Sequence, residues 1–571
     1  MSSNTPPSAS HSPLYLNLLG ETAKIDWCDL ERFFAQGKLL SVARDLDLVS
    51  VAEAIASDDK EQVTRWLSAG TSSECRPAPR RITRRAIPSC GRSSYRRGCA
   101  CRHARNTAMS ASSPPTHADE DPEPRAAANG HRRVLGLALP IIAANLTQPI
   151  LGAVDTAVAG HLNGPQYLGG VALGGLFFNF VYWGFGFLRM GTTGLVAQAF
   201  GANDLAGIRI NVLRALLLAF TLGAAVLALQ TPLLGIAFAA LGGSDSVRST
   251  ALEYAHARIG AAPFALANYV VLGYLLGMQR VRLALVIQVL VNVVNIGAVL
   301  LYVYRFDWGV AGIGAATATA DIAGFAASAL LLRWLNPRGL AKIRRVELFD
   351  RAALARLVAL NRDIFIRTLC LLSAFGWFAH LGARQGDATL AANALLLNFQ
   401  TFMAYALDGF AHAAEALVGA AAGARNRDAF RQALRTTFFW AGIGALAFAL
   451  AYWCAGGWIV AQLTDQPSVR GVAERYLPWA ALSPVISVWG FMLDGVFIGA
   501  THTRALMRAM ATSFALFVAA TLALVGPLGN HGLWIALLVF MAARGATLAR
   551  RLPGLERAVA PDAARAPSAA G

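Results

Sequence analysis

A few ionisable side chains fall inside stretches that are otherwise apolar: Asp155, Arg189, Asp321, Arg367, Asp408, Glu415 and Asp494. A charge in hydrocarbon is costly, so each must either be paired or serve a function. Asp155 carries the clearest chemical expectation. It follows Pro140 and Pro149, toward the outer end of its segment. A carboxylate enclosed by apolar atoms favours its protonated form, so such a group can load a proton on one side and release it on the other. Protonation also removes its attraction for a cation. That chemistry is exchange, not bond making.

Asn292, Asn295, Thr317 and Asp321 are polar at comparable depth. Thr317 and Asp321 are four residues apart and share one helix face. With Asn292 and Asn295 they read either as further members of a cation or proton site or as hydrogen-bond glue between helices. Asp408 and Glu415, seven apart, also share a face, and Arg189 is their expected counter-charge. That trio reads as a gate or charge lock, or as packing polarity. Asp494 is expected near the inner end of its segment, with a solvated place as open to it as a buried one. His380 and His412 stand alone and suggest no ligand set. The aromatic stripe Phe177, Phe178, Phe180, Trp183 and Phe185 reads as lipid-facing or packing. No Gly-rich loop ends in Gly-Lys-Ser/Thr and no HExxH occurs, so neither a catalytic site nor a metal site is expected.

The elements that hold these residues follow from composition. The chain has 571 residues, of which 56% are hydrophobic and only 15% charged, against about 25% charged in ordinary soluble domains. Mean hydropathy is +0.47 and net charge +17. An all-α polytopic membrane protein is the expected class. A membrane span needs about 20 apolar residues. Breaking the text at loops gives twelve transmembrane helices: 134–158, 167–199, 208–240, 247–277, 283–304, 309–334, 355–381, 388–422, 429–462, 471–499, 504–526 and 530–550. Basic residues alternate between loops, with Arg132 and Arg133, Arg209, Arg280 and Arg282, Arg338 to Arg351, Arg425 to Arg431, Arg504, and Arg550 and Arg551 on one side. The positive-inside rule then puts both termini in the cytoplasm.

The two halves repeat at an offset of about 222 residues. Gly160, Gly164, Leu168, Ala172 and Leu173 recur as Gly382, Gly386, Leu390, Ala394 and Leu395, and Gly201 recurs as Gly423. Glu253 and Pro263 recur one residue out of that register, as Glu474 and Pro484. Six spans per half is an even number, so the repeats are parallel: two six-helix lobes related by a pseudo-two-fold along the membrane normal. Such lobes enclose a cavity and transport by rocking.

Ahead of the spans the text changes character twice. Residues 1–70 read as a small soluble α+β piece, with a helix over Glu21–Gln36, a strand over Leu39–Val42 and further helical pieces over Val49–Ile55 and Glu61–Leu67. Residues 71–130 form a basic, Pro-rich linker. The seven cysteines are scattered, and Cys90, Cys99 and Cys101 fit no common zinc pattern. A regulatory or nucleic-acid-binding appendage is the alternative reading of 1–130, and no nucleic-acid partner is expected. Met109, followed by an ordinary cytoplasmic leader, reads as the native start of the membrane protein. The lobes take 131–340 and 341–552, and 553–571 is a tail.

"LALPIIAANLTQPILGAVDTAVAGHL", "GFGFLRMGTTGLVAQAFG", "GVAGIGAATATADIAG", "LNRDIFIRTL", "ALDGFAHAAEALVG" and "MLDGVFIGATHTRALMR" together resemble the multidrug and toxic compound extrusion (MATE) family, in its DNA-damage-inducible protein F branch. The resemblance covers about 131–552. It implies cation- or proton-coupled efflux of small organic substrates, with the span 1 aspartate on Asp155, the span 5 asparagine on Asn295, the span 6 threonine on Thr317 and the branch's span 6 acid on Asp321. Tyr269 would be the span 4 tyrosine, and with Asn292 it is assigned to the substrate cavity. Many members carry an Asp four residues after the span 5 Asn, where this chain has Val299. That departure favours H+ over Na+, which wants several hard oxygens. No cofactor is expected. The leading expectation is a monomeric proton antiporter exporting amphipathic or cationic toxic compounds. The alternatives are Na+-coupled efflux and a flippase for lipid-linked precursors. Residues 1–70 resemble a small uncharacterised bacterial domain family.

Overall fold

The computed structural model describes residues 14–18, 21–25, 123–162, 164–335 and 345–559. The chain divides into two compact units, 1–119 and 120–571. In the first, β1 (Leu14–Leu18) pairs antiparallel with β2 (Glu21–Ile25), Leu14 opposite Ile25 and Leu18 opposite Glu21. The helix expected from Glu21 is therefore corrected over its first five residues. Leu14, Leu16 and Leu18 alternate with Tyr15 and Asn17, and Thr22 and Ile25 are β-branched, a pattern that suits a pleated surface better than a helix. The remaining expectations for 26–122, among them the linker, Cys90, Cys99, Cys101 and Met109, lie outside the described residues.

The second unit is helical throughout its described residues. In chain order it contains α1 (Glu123–Gly160), α2 (Pro165–Gly184), α3 (Phe187–Gly201), α4 (Leu205–Ala228), α5 (Gln230–Leu241), α6 (Asp245–Ile259), α7 (Ala262–Gly277), α8 (Val281–Leu300), α9 (Gly309–Leu335), α10 (Arg345–Leu348), α11 (Arg351–Ala383), α12 (Asp387–Gly423), α13 (Arg427–Leu463), α14 (Pro467–Gly499), α15 (Thr503–Ala549) and α16 (Leu552–Val559). Ten helices among the described residues are long and apolar enough to cross a membrane, or eleven if α6 and α7, bent by 58°, form one span. Pro263 explains that bend. It has no N–H to give to the carbonyl of Ile259, so the ladder breaks at Gly260 and Ala261. The span expected over 208–240 is likewise interrupted, at Leu229 between α4 and α5, just ahead of Pro232.

α15 is not one rod. Gly529 inside it has φ 55° and ψ −132°, a left-handed conformation that favours glycine. On a continuous helix Phe517 and Phe540 would stand about 35 Å apart, yet their rings are 5.6 Å apart. The guanidinium of Arg551 donates to the Ala505 carbonyl at 2.6 Å. The segment is a helical hairpin closed at Gly529.

The repeat is written into the backbone. Positive φ recurs at a spacing of 222 residues in Asn203 and Arg425, Gln279 and Thr501, Asp307 and Gly529, and Gly164 and Gly386. The caps repeat as well: Asp204 accepts from the Gly207 amide at 2.8 Å, and Asn426 from the Ala429 amide at 2.9 Å. Two hydrophobic cores correspond to the two halves. α1 crosses between them. Val134, Leu137 and Ile141 pack in the core of the C-terminal half, whereas Val158 and Ala159 pack in that of the N-terminal half. The halves meet mainly through α3 and α12, at the ends bearing basic loops. There Gln198 Nε2 donates to the Gly499 carbonyl at 3.2 Å and to Thr501 Oγ1 at 3.0 Å.

Candidate functional site

Helices of the N-terminal half surround a cavity of about 180 Å³. Its wall takes Leu151 from α1, Tyr182 from α2, Arg258 from α6, Tyr269 from α7, Asn295 from α8 and Asp321 from α9. The bend at Gly260 matters here. It lets α6, a polar helix carrying Glu253, His256 and Arg258, turn Arg258 into the bundle while α7 continues with Tyr269.

The expected site residues largely converge on this place. Asn295 is fully buried, and its Nδ2 donates to Thr317 Oγ1 at 3.1 Å. Thr317 in turn donates to the Ile313 carbonyl at 3.3 Å. Asn268 Nδ2 fixes the backbone at Asp321 by donating to its carbonyl at 2.8 Å, which leaves the carboxylate to the cavity. Asp155 is buried on α1, one turn beyond Leu151, with Oδ1 unpartnered. It borders the cavity without lining it. Asn292 also stays off the wall: its Oδ1 accepts from Gln288 at 3.2 Å, and the longer Gln288 side chain reaches the cavity in its stead. Val299 is buried in the apolar packing of this half.

The sequence reading missed Arg258. Its Nη1 donates to Tyr254 Oη at 2.7 Å. The guanidinium lies 4.5 Å from the Phe178 ring centroid, 5.7 Å from that of Tyr182 and 5.8 Å from that of Tyr254, within cation–π range. Phe178, read as lipid-facing or packing, is thus part of an aromatic cradle, while Phe180 and Trp183 are exposed. Both Asp155 and Asp321 lie within electrostatic reach of Arg258. Arg258 is thus a second deep basic group of the N-terminal half beside Arg189. Arg258 Nε, Tyr182 Oη, Asn268 Oδ1, Asn295 Oδ1 and Ser328 Oγ are buried around the cavity without protein partners. Buried polar atoms normally find partners, so this wall is equipped to meet a guest.

The second expected group straddles the two halves. Arg189 Nη1 on α3 stands 3.6 Å from Glu415 Oε2 on α12, and Glu415 is 1% exposed. Asp408, two turns earlier on α12, makes no ion pair among the described residues. Nearby, Asn145 Nδ2 of α1 donates to the Tyr405 carbonyl at 3.1 Å. His412 is largely enclosed with Nδ1 unpartnered. His380 is exposed beside Trp377.

A third cluster was only half foreseen. Asp494 is buried, not solvated: Arg367 donates to its Oδ2, and Arg544 donates to the same oxygen at 2.7 Å. Arg544 is 1% exposed and lies 5.3 Å from the Phe491 ring. It lies inside the span expected over 530–550, close to Arg550 and Arg551, and was not singled out among the ionisable residues.

This fold has counterparts among solved structures. A MOP superfamily transporter from Pyrococcus furiosus superposes with TM-score 0.67 at 20% identity, covering 75% of this chain and 96% of that one. An outward-facing multidrug resistance MATE family transporter superposes with TM-score 0.66 at 20% identity, covering 75% and 97%. In sequence, DNA damage-inducible protein F of Escherichia coli is 43% identical over 418 residues, 72% of this chain and 90% of that protein. The probable multidrug resistance protein NorM of Geobacillus kaustophilus is 27% identical over 452 residues, 77% and 97%. A family described as a protein of unknown function (DUF2288) matches residues 13–79, running past Gly70 into the arginine-rich stretch. The MatE family model matches 140–301 and 365–523, the two halves of the repeat. The chain therefore belongs to the MATE family and is a multi-pass membrane transporter, not an enzyme.

Proposed function

We propose that the protein is a proton antiporter of the bacterial inner membrane that exports amphipathic or cationic toxic organic compounds. The carrying observation is the meeting of Asp321, the Asn295–Thr317 pair and Tyr269 around one cavity, with Asp155 buried on α1 one turn beyond Leu151 of its wall. A carboxylate there holds either a proton or a cationic cargo. That exclusive choice couples the two flows when the halves rock. Asp155 is the carrier, and Asn295, Thr317 and Asp321 shape its surroundings. Several relatives, such as NorM of Geobacillus kaustophilus, are named for multidrug resistance, which supports the cargo class. Val299, an apolar residue within the packed core, supports a proton over Na+.

In this reading the chain crosses the membrane twelve times, as two six-helix lobes related by a pseudo-two-fold along the membrane normal. The hairpin at Gly529 supplies two crossings, the bent α6–α7 pair one, and α4 with α5 one. The basic loops support a cytoplasmic place for both termini. One chain encloses its own cavity, so a monomer suffices. A flippase for lipid-linked precursors is less favoured: Arg258 and Arg189 would attract a pyrophosphate, but Asp155 and Asp321 would repel it.

The test is ethidium transport by proteoliposomes under imposed gradients. A pH gradient should drive efflux, a Na+ gradient alone should not, and Asp155→Asn should abolish the response while leaving the folded yield unchanged. Efflux that follows Na+, or persists in Asp155→Asn, overturns the proposal.

A further inference from the structure

Arg258 lines a cavity with Asp321 and lies within electrostatic reach of Asp155, yet it makes no ion pair with either among the described residues. It is held in place by Tyr254 Oη at 2.7 Å and by the face of Phe178 at 4.5 Å. Its buried Nε has no partner. An arginine does not release its proton in a protein, so this charge is present at every stage of transport. The remaining wall is uncharged. α2 offers Tyr182, α7 offers Tyr269, and α8 offers Gln288 and Asn295. Arg189, the other deep cation of this half, is matched by Glu415 across the junction at 3.6 Å.

Asp321 of the wall and Asp155, one turn beyond Leu151 of the wall, together set two carboxylates against the one guanidinium. We propose that Arg258 is a specificity-determining residue: it cancels one carboxylate permanently and leaves one exchangeable negative charge, which selects singly charged organic cations and sets an exchange of one proton for one cargo. The inference rests on the antiport reading above. Uncompensated charge is expensive in a low-dielectric interior. With one proton or one monovalent cation aboard, the cavity is neutral and the lobes can rock. Empty and fully ionised, it carries one net charge and resists that passage, which keeps the two flows coupled. A dication would overcharge the cavity and be refused.

The experiment uses the full chain in proteoliposomes with an imposed pH gradient, ethidium as the monovalent probe and methyl viologen as the divalent one. Arg258→Gln raises the cavity's negative charge to two, and Asp321→Asn lowers it to zero. Each should cut ethidium efflux about tenfold or more, and Arg258→Gln should gain on methyl viologen relative to ethidium. The double variant restores a single negative charge and should recover efflux to within about threefold of the unaltered protein. A merely structural role for Arg258 predicts additive damage instead. A measurement that needs no variant is the effect of an inside-negative potential, clamped with K+ and valinomycin. One-for-one exchange moves no net charge, so ethidium efflux by the unaltered protein should not respond. Overturning results are a double variant no better than the worse single one, or efflux that responds to potential, in a protein still driven by the pH gradient. Absence of pH-driven efflux in the unaltered protein would sink the antiport reading itself, and this inference with it.

Discussion

Gly201 and Gly423 occupy equivalent places in the two halves, and each lies against the other's helix with no room for a side chain. A methyl group on Gly201 would run into the Ala420 carbonyl, and one on Gly423 into the Gln198 carbonyl. The two glycines make a reciprocal seam on which α3 and α12 close.

That seam gives the first prediction. Gly201→Val and Gly423→Val should each prevent the halves from meeting, lowering thermal stability by about 1–3 kcal/mol, the usual range for overpacking. Efflux should fall more steeply than stability. The symmetry of the contact requires that the two variants behave alike, which paired melting and transport assays would reveal.

The Arg189–Glu415 pair lies near the same junction and leads to a second expectation. Breaking a buried pair from one side leaves an uncompensated charge, a loss of about 3–5 kcal/mol. Glu415→Gln should therefore destabilise the protein strongly. Adding Arg189→Gln should restore part of the loss, because the two residues form one unit. Thermal unfolding of the four forms measures the coupling. Equal and additive losses would show that the pair is not a lock.

Asp494 carries a third prediction. Among the described residues it forms ion pairs with both Arg367 and Arg544. Asp494→Asn leaves two guanidinium groups buried together, whereas Arg544→Met leaves a one-to-one pair. The Asp494 variant should be the less stable by about 2 kcal/mol or more, read from midpoint shifts in detergent.

Removal of residues 1–108 should leave pH-driven efflux unchanged, because every group assigned to the site belongs to the unit spanning 120–571. A transport assay of the shortened chain is sufficient. Loss of efflux would give the head a role in transport itself.

How far the text alone reached depends on how each residue stands out from its neighbours. Asp155, Arg189, Asp321 and Glu415 interrupt apolar runs, so they were visible. Asn295 and Thr317 were visible for the same reason, though their hydrogen bond joins two helices that spacing alone cannot align. Arg258 was hidden because it sits in "STALEYAHARIG", a polar stretch that looks like the edge of a span. Only the bend before Pro263 turns that stretch inward. Arg544 was hidden by its basic neighbours, and the place of Asp494 near a helix end left its burial open. The repeat was legible from matched glycines. Its structural reason, the recurring left-handed residues such as Asn203 and Arg425, was not, since Asn and Arg share no side-chain signature. β2 was read as the first five residues of a helix over Glu21–Gln36 because so short a run carries too few periods to separate the two patterns.

The central claim is that Asp155 gives up a proton when cargo arrives. Purified protein in weakly buffered detergent, with a pH-sensitive dye, reports this directly on addition of ethidium. The account predicts proton release from the unaltered protein and none from Asp155→Asn. Ethidium binding without proton release, or equal release from both proteins, would contradict it.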